Sequence, residues 1–167
     1  VYNRGLVYYY LENHENALKD AEQIIKLDPK NAEYFNFRGR ILSYGRNEYK
    51  NGIKEFNKAI KLDPNNVDYV YNRGLAYYNL ENFENALKIF DKAIELNPEK
   101  SHIWEFRGRS KYFLERYEEA IKDLDKAIEL NPEDSYSWNF RGRSKYFLER
   151  YDCLLYTSDA ADDSLGV

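Results

Sequence analysis

Apolar positions recur at helical spacing along most of the chain. In the clearest stretch, six apolar or small residues fall on one stripe, and an equivalent stripe begins 34 residues later. The two stripes comprise Ala86, Leu87, Phe90, Ala93, Ile94 and Leu96, and then Ala120, Ile121, Leu124, Ala127, Ile128 and Leu130. An Asn-Pro pair follows each stripe, and proline ends a helix because it lacks a donor and disfavours helix in the residue before it. The pattern therefore predicts amphipathic helices that end just before a proline.

Glycine and proline repeat with one period. Glycines recur at gaps of 34 or 35 residues, at Gly5, Gly39, Gly74, Gly108 and Gly142. The four prolines of the chain keep the same spacing, at Pro29, Pro64, Pro98 and Pro132. The glycine lies inside the first of two helices in each unit, where it costs about 1 kcal/mol relative to alanine. We therefore expect the two helices to approach closely there, with the one extra residue of the second unit near Tyr44–Asn47.

This pattern resembles the tetratricopeptide repeat, a helix–turn–helix unit of 34 residues. In the fourth unit the matching residues are Trp104, Gly108, Tyr112, Tyr117, Ala120, Leu124, Ala127 and Pro132. The resemblance implies an all-α fold, an α-solenoid of tandem helix–turn–helix repeats wound into a right-handed superhelix. One departure from the family is an arginine before each glycine, at Arg4, Arg38, Arg73, Arg107 and Arg141. A helical wheel turns these arginines towards the second helices, where we expect them to pair with acids such as Asp123.

The family's frame divides the chain into repeats. Repeat 1, truncated at its N-terminus, covers 1–31, and the following units are repeat 2 at 32–66, repeat 3 at 67–100, repeat 4 at 101–134 and a half repeat 5 at 135–152. Residues 106–117 and 140–151 are identical, which indicates a recent tandem duplication. We expect the chain to be a fragment of a longer protein, since its first residue is Val1 and it contains no methionine.

Residues 153–167 break the repeat pattern in the middle of a unit and contain Cys153, the single cysteine of the chain. The stretch resembles a translated transposase adapter used in sequencing libraries, so we expect a non-native, disordered tail, with a natural polar tail as the alternative. This stretch contains three acidic residues and no basic residue, so it accounts for most of the net charge of −4 that the whole chain carries. The repeats themselves are therefore nearly neutral, and their net charge does not indicate a function.

Residues with catalytic or metal-binding potential are few and scattered. His14 and His102 are the only histidines, and no Cys/His cluster accompanies them. The sequence lacks a nucleophile–base motif and a phosphate-binding glycine loop, so we expect no enzyme, metal or cofactor. It also lacks the basic excess of nucleic-acid binders and the run of about 20 apolar residues that a membrane helix needs. We therefore expect a protein or peptide partner, and neither nucleic acid nor membrane.

The resemblance also implies that the first helices line a concave groove, in which a peptide or helix of a partner binds. The wheel turns four positions of each first helix inward, and they are rich in tyrosine, asparagine and arginine, as recognition surfaces often are. The groove is expected to be nearly neutral at its middle and mildly basic towards its C-terminal end. The expected peptide-binding residues are Asn36, Arg40, Tyr71, Asn72, Tyr78, His102, Glu105, Arg109, Tyr112, Asn139, Arg143 and Tyr146.

Some members of this family bind a C-terminal carboxylate with a clamp of Lys or Asn, then Asn, then Lys or Arg. The matching positions hold Asn36 and Arg40, then Asn72, then His102 and Phe106, which is too partial a match to predict a receptor for chaperone tails. Two other functions stay open, a regulatory or targeting arm of a larger enzyme and a self-assembling scaffold. We expect a cytoplasmic monomer, in which truncation would favour self-association.

Overall fold

The protein is α-helical in a computed structural model that describes residues 1–164, with side chains up to Arg150. In this part of the chain nine α-helices occur, with a π-helical segment at Ile41–Gly45 after the third. They are α1 Tyr2–Tyr10, α2 His14–Leu27, α3 Ala32–Arg40, α4 Tyr49–Leu62, α5 Val67–Asn79, α6 Phe83–Leu96, α7 Ser101–Phe113, α8 Tyr117–Leu130 and α9 Ser135–Ser164. Two compact units result, unit 1 at Val1–Pro98 with α1 to α6, and unit 2 from Glu99 onward with α7 to α9.

The helix ends follow the predicted punctuation. The second helix of each complete pair stops one residue before the Asp or Asn that precedes proline, at Asp28, Asp63, Asn97 and Asn131. Asparagine side chains accept a backbone N–H at the start of four helices, at Asn13, Asn31, Asn66 and Asn82. The turn inside each pair holds one residue with a positive φ of 57° to 60°, at Glu12, Asn47, Glu81 and Glu115.

Three of the repeating glycines lie where the two helices of a pair approach closely, whereas a Cβ atom on Gly142 would meet nothing within 4 Å. A Cβ atom on Gly39 would lie 2.6 Å from Phe56 Cε1, and one on Gly74 would lie 2.5 Å from Phe90 Cε1. Both phenylalanines are fully buried. In unit 2 a Cβ atom on Gly108 would lie 2.7 Å from a side-chain carbon of α8. The close approach predicted at these glycines is confirmed, because any side chain there would displace a core residue.

The extra residue of the second repeat is accommodated by the π-helical segment Ile41–Gly45, at the predicted place. This segment brings Gly45 against the imidazole of His14, where a Cβ atom on the glycine would lie 2.6 Å from His14 Nδ1. The imidazole also packs at 6.0 Å from the ring of Tyr9. His14 is therefore a packing residue between helices, as the sequence predicts.

Three of the five arginines before the glycines pair with an acid of their own second helix, which confirms that part of the prediction. Arg4 donates to Asp20 at 2.9 and 2.6 Å, and Arg107 donates to Asp123 at 2.7 and 2.6 Å. The third pair joins Arg38 Nε to Glu55 Oε2 at 2.9 Å. The acids Asp20, Glu55 and Asp123 are buried, so these pairs join the two helices of a repeat beneath its surface.

The other two arginines reach a neighbouring helix instead. Repeat 3 has Ile89 at the position of the acid, and Arg73 Nη1 donates to Asn57 Oδ1 of α4 at 2.9 Å. Arg141 Nη1 donates to Asp125 Oδ1 of α8 at 2.8 Å. The expectation of an acid in the same repeat is therefore wrong for Arg73, because an isoleucine occupies the acid's place. Burial lowers the pKa of this arginine.

The last helix, α9, runs through residue 152, where we placed the end of the half repeat, and continues to Ser164. The origin of residues 153–167 stays a prediction, because their side chains, and the whole of residues 165–167, lie outside what is described. Up to Ser164 no helix returns along α9. Within the described residues, α9 therefore has no second helix of its own repeat beside it, unlike α1, α3, α5 and α7.

Candidate functional site

In unit 1 a chain of hydrogen bonds connects the first helices of three repeats. Asn72 Nδ2 in α5 donates to Asn36 Oδ1 in α3 at 2.9 Å, and Asn36 Nδ2 donates to Glu33 Oε2 at 3.2 Å. The hydroxyl of Tyr2 in α1 donates to Glu33 Oε1 at 3.0 Å. We call these four residues the polar network. Tyr2 and Asn36 hold positions that the wheel turns inward, and Glu33 and Asn72 are hydrogen-bonded to Asn36, so polar side chains hold this inner face in register.

The carboxylate of Glu33 is the electrostatic centre of the polar network. Burial, followed by the charge of Glu33, raises the pKa of Tyr2 to about 12. Burial and Glu33 also raise the pKa of Tyr69. Asn36 is only 4% exposed, and its amide is already engaged with its neighbours. The network therefore shapes the inner face and offers few free donors to a ligand.

Aromatic rings lie beside the polar network. The guanidinium carbon of Arg40 lies 5.3 Å from the ring centroid of Tyr9, a cation–π contact. The hydroxyl of Tyr44 donates to the backbone oxygen of Asn72 at 3.0 Å, and burial raises the pKa of Tyr44. Tyr10 is 71% exposed. The inner face of α1 and α3 thus combines fixed rings with one freely accessible ring.

Tyr71 and Tyr78 are half-buried on α5. The ring of Tyr71 packs at 6.1 Å from Phe90, and the ring of Tyr78 meets Phe83 edge-on at 5.5 Å. Each tyrosine therefore packs part of its ring against α6 and leaves part accessible. The packed part of each ring holds the side chain in place, and the accessible part offers contact area to a ligand.

In unit 2 the inner face is built from arginines stacked on rings. The guanidinium of Arg109 lies 4.6 Å from the ring of Phe106 and 4.8 Å from the ring of Phe140. The guanidinium of Arg143 lies 4.8 Å from the ring of Tyr112 and 5.3 Å from that of Phe140. We call these five residues the arginine–aromatic cluster. It places two cations of α7 and α9 over a shared set of aromatic faces.

The two cations of this cluster differ in their partners. Arg109 Nη1 forms an ion pair with Glu105 Oε1 at 2.8 Å. Glu105 is 8% exposed, and burial raises the pKa of its carboxyl while the bond from Arg109 opposes that rise. Arg143 is exposed, and among the described side chains it contacts only the two rings. Arg143 is therefore an exposed cation that can donate hydrogen bonds to a carboxylate from outside, and Arg150, also exposed, lies 5.8 Å from the ring centroid of Tyr146.

Tyr112, which we expected at the groove surface, is 7% exposed and belongs to the core of unit 2. Its ring meets Tyr117, Phe140 and Phe147 at 5.2 to 6.1 Å. The wheel treats α7 alone, whereas α8 and α9 cover this position from both sides. Tyr112 thus supports Arg143 from beneath.

The remaining expected residues lie at or near the surface. Asn139 and Tyr146 are exposed on α9, and His102 is half-buried in the first turn of α7. The structure adds residues that we did not predict for the site, which are Tyr2 and Glu33 in the polar network, Phe106 and Phe140 in the arginine–aromatic cluster, and Tyr136. Glu33 could have been found from its place three residues before Asn36, which puts both on one helix face. Tyr136 is 61% exposed and stacks at 5.5 Å from Arg109, a contact between different repeats.

No set of three His, Cys, Asp or Glu side chains that could hold a metal ion occurs within the described residues. In the same part of the chain, no helix has the length and apolar character that crossing a bilayer requires.

Comparison with protein families places repeats along most of the chain. A model described as "Tetratricopeptide repeat" matches both residues 2–31 and residues 67–100, and a second model of that description matches residues 101–134. A model described as "TPR repeat" matches residues 42–81. A search of curated proteins found no match.

Solved structures with the same fold include three that span much of this chain. The first TPR domain of Spaghetti (RPAP3), bound to an HSP90 peptide, is 26% identical over 73% of this chain and 96% of that one, with a TM-score of 0.69. The TPR domain of Arabidopsis OM64 is 25% identical over 69% and 94%, with a TM-score of 0.66. MamA from Desulfovibrio magneticus RS-1, at 18% identity, covers 96% of this chain and 90% of its own with a TM-score of 0.82. Such repeats are typically interaction modules, and the all-α repeat fold is shared by all three.

Proposed function

Because the chain belongs to the tetratricopeptide repeat family, we propose that it is a protein-interaction module whose inner surface binds a peptide or helix of a partner protein. In unit 1 the inner surface is formed by α1, α3 and α5, and in unit 2 it is formed by α7 and α9. The observation that carries the proposal is the exposed guanidinium of Arg143, which lies on the rings of Tyr112 and Phe140. A cation held in this way keeps its donors for a ligand, and it loses little side-chain entropy on binding.

The likeness to the RPAP3 domain supports a peptide as the class of ligand, since that domain is solved with a peptide bound. The exposed rings on this chain support the same class. Tyr10 is 71% exposed, Tyr136 is 61% exposed and Tyr146 is 55% exposed, although each could have packed inside a larger core. Tyrosine and arginine supply much of the binding energy at protein interfaces.

The charges on the inner surface select among peptides. In unit 1, Glu33 holds the amides of the polar network and would repel a second carboxylate brought to Asn36. In unit 2, Arg143 offers an accessible cation three residues before Tyr146, on the same side of α9. We therefore infer that the ligand presents a carboxylate to Arg143, with an apolar or aromatic side chain next to it for Tyr146. A purely acidic tail bound at Asn36 and Asn72 is not the expected mode.

The proposed binding residues fall into two groups. Asn36, Glu105 and Tyr112 are buried, and they position their neighbours instead of touching the ligand. The remaining residues are accessible or half-buried and would make contact: Arg40, Tyr71, Asn72, Tyr78, His102, Arg109, Asn139, Arg143 and Tyr146. On this proposal the protein acts as a cytoplasmic monomer without catalysis or cofactor.

A displayed library of random peptides, selected against the full chain, tests this proposal. We expect selected peptides to lose at least about tenfold in affinity to Arg143→Ala and to Tyr146→Ala, because both side chains belong to the contact surface. Lys122→Ala, an exposed lysine on α8, is the matched control and should bind normally. Circular dichroism verifies that the variants are folded. If the selected peptides bind the Arg143 and Tyr146 variants as well as they bind wild type, the proposed surface is wrong.

A further inference from the structure

The outer face of α4 differs in charge from the outer faces of the other second helices. The four second helices are each 14 residues long, so their outer positions correspond one to one. Of five such positions, three are acidic in α6 and in α8, two are acidic in α2, and none is acidic in α4. The residues are Glu84, Lys88, Asp91, Lys92 and Glu95 in α6, Glu118, Lys122, Asp125, Lys126 and Glu129 in α8, Glu15, Lys19, Glu22, Gln23 and Lys26 in α2, and Lys50, Lys54, Asn57, Lys58 and Lys61 in α4. We call the four lysines of α4 the basic face.

The basic face does not stabilise its own helix. In α6, Glu84 and Lys88 are four residues apart with opposite charges, an arrangement that supports a helix. In α4 the lysines at these positions bring like charges together, which destabilises a helix slightly. All four lysines of the basic face are exposed. Their concentration on one side of α4 therefore indicates a role in contact with another molecule.

The neighbouring side chains leave most of this charge unbalanced. Lys58 Nζ donates to Glu55 Oε1 at 2.9 Å, but the same buried carboxylate also accepts a hydrogen bond from Arg38. One acid thus serves two cations. Among the described side chains, the other three lysines of the basic face form no ion pair.

Arg73 of α5 adds a further cation at the edge of the basic face. Its Nη1 donates to Asn57 Oδ1 of α4 at 2.9 Å. In unit 2 the corresponding bond runs from Arg141 to Asp125 of α8, a carboxylate that balances the charge of the arginine. The neutral amide of Asn57 cannot do this, so the charge of Arg73 adds to that of the basic face.

An open cavity adjoins the basic face. It has a volume of about 250 Å³ and lies between α2 and α4, where α3 and the π-helical segment form its base. Leu18 of α2 and Leu42 of the π-helical segment give it apolar walls, and Glu22 lines it on the side of α2. Lys54 belongs both to this cavity and to the basic face, so the two form one continuous surface.

We propose that the basic face of α4, together with the adjoining cavity, binds an acidic segment of a partner protein. Carboxylates of the segment would lie on Lys50, Lys54 and Lys61, because charge complementarity selects an acidic partner. An aliphatic side chain of the segment would enter the cavity between Leu18 and Leu42. This site lies on a second helix of unit 1, outside the inner surface, so it does not rest on the proposed function.

Two observations favour an acidic protein segment over other anionic partners. Nucleic acid has no aliphatic side chain for the cavity, and its phosphates would be repelled by the carboxylate of Glu22. A peptide, in contrast, can carry a neutral residue where it passes Glu22. A helix that lies on a membrane inserts exposed apolar residues, and in α4 no apolar side chain between Lys50 and Lys61 is exposed.

Two synthetic peptides of about 16 residues are the probes, each long enough as a helix to follow the three turns from Lys50 to Lys61. The leucine peptide repeats Glu-Glu-Leu-Glu, and the serine peptide repeats Glu-Glu-Ser-Glu. In calorimetry with the full chain, we expect the leucine peptide to bind saturably and at least about tenfold more tightly than the serine peptide, because only leucine gains by burial in the cavity. Raising the salt concentration from about 0.05 M to about 0.5 M should weaken the binding of both peptides, since the lysines are exposed.

A pair of double variants locates the site. Lys50→Glu with Lys61→Glu gives α4 the residues that α6 and α8 have at these positions, so the fold should be retained. The affinity for the leucine peptide should fall at least about tenfold, because like charges then face each other. Lys122→Glu with Lys126→Glu on α8 changes the net charge equally and should leave the affinity within about twofold, since salt screens distant charges. Circular dichroism verifies that both variants are folded.

The proposal is overturned if the leucine peptide shows no saturable binding at millimolar concentration, if both double variants weaken it equally, or if the serine peptide binds as tightly. A DNA duplex and vesicles containing phosphatidylserine are measured under the same conditions. Tighter binding of either one than of the leucine peptide, lost in the α4 double variant, would identify a different partner and equally overturn the proposal. So would self-association in sedimentation that the α4 double variant abolishes, because a second copy of the chain would then be the occupant.

Discussion

The side-chain amide of Asn72 donates a hydrogen bond to Asn36 Oδ1 over 2.9 Å, which joins α5 to α3 on the inner face of unit 1. Asn36 in turn donates to Glu33, so the polar network is continuous from one repeat to the next. Since adjacent repeats stabilise each other through their interfaces, this bond belongs to the stability of the array as well as to its binding surface.

Replacing Asn36 by alanine should therefore destabilise the protein. Asn36 is buried, and its removal leaves the amide of Asn72 and the carboxylate of Glu33 each short of one partner, a loss of about 1 to 3 kcal/mol. Urea unfolding followed by circular dichroism measures the change. Asn139→Ala is the matched control, because Asn139 has the same position in α9 and is exposed, so its effect should stay within about 0.5 kcal/mol. Equal losses for both variants would contradict the network's role.

Alanine substitution at two of the repeating glycines should change the stability of the protein in opposite directions. Gly74→Ala brings a methyl group to 2.5 Å from Phe90 and should cost about 1 to 3 kcal/mol through overpacking. Gly142→Ala meets nothing within 4 Å, and it should stabilise the helix by up to about 1 kcal/mol because alanine favours helix over glycine. Thermal unfolding of the two variants checks the signs. A destabilised Gly142→Ala would show that the face around this glycine is covered.

The arginines before the glycines should contribute different amounts to the free energy of unfolding. Arg107→Met leaves Asp123 with Lys111 alone, so we expect a loss of up to about 3 kcal/mol for this buried pair. Arg73→Met removes a partly buried cation whose described partner is the neutral Asn57, and its effect should be within about 1 kcal/mol of zero or stabilising. Denaturant unfolding of both variants decides the matter. A larger loss for Arg73→Met than for Arg107→Met would contradict this ranking.

Glu105 should make stability depend on pH. Burial raises the pKa of its carboxyl, so the folded protein holds this proton more tightly than the unfolded chain does. The contribution of this carboxyl to stability is complete below its pKa in the unfolded chain, about 4. That contribution is lost as the pH rises through the pKa of the folded protein. The stability of Glu105→Gln relative to wild type should therefore increase from about pH 4 to about pH 7. Glu118→Gln, on the exposed face of α8, is the control for the substitution itself. A difference that falls with pH would contradict the sign of the shift.

Local patterns in the sequence determined much of the fold. The helices, their ends before each proline and the close approach at the glycines follow from spacing and backbone geometry, which act over a few residues. Three arginine–acid pairs could be predicted for the same reason, since both partners lie within one repeat. The partner of Arg73 could not be predicted in this way, because Ile89 occupies the position of the acid and the observed partner, Asn57, lies in the preceding repeat.

The candidate site was harder to predict because it depends on contacts between repeats. A helical wheel selects Tyr112 as inward-facing, but the ring is covered by Phe140 and Phe147 of the following repeat. The ring of Tyr112 in turn lies 4.8 Å from the guanidinium of Arg143. This contact joins two repeats, and the spacing of residues within one repeat does not predict it. Periodicity thus identifies the face of each helix, whereas the accessibility of a particular side chain requires the neighbouring helix.

The most direct measurement is an NMR map of backbone amide shifts on the full chain, during titration with a peptide obtained by selection. The account predicts that the largest shifts fall on the first helices α7 and α9 of unit 2 and centre on Arg143 and Tyr146. Shifts confined to α2, α4, α6 and α8 would contradict it, because they would place the ligand on the second helices and leave the inner surface without a role.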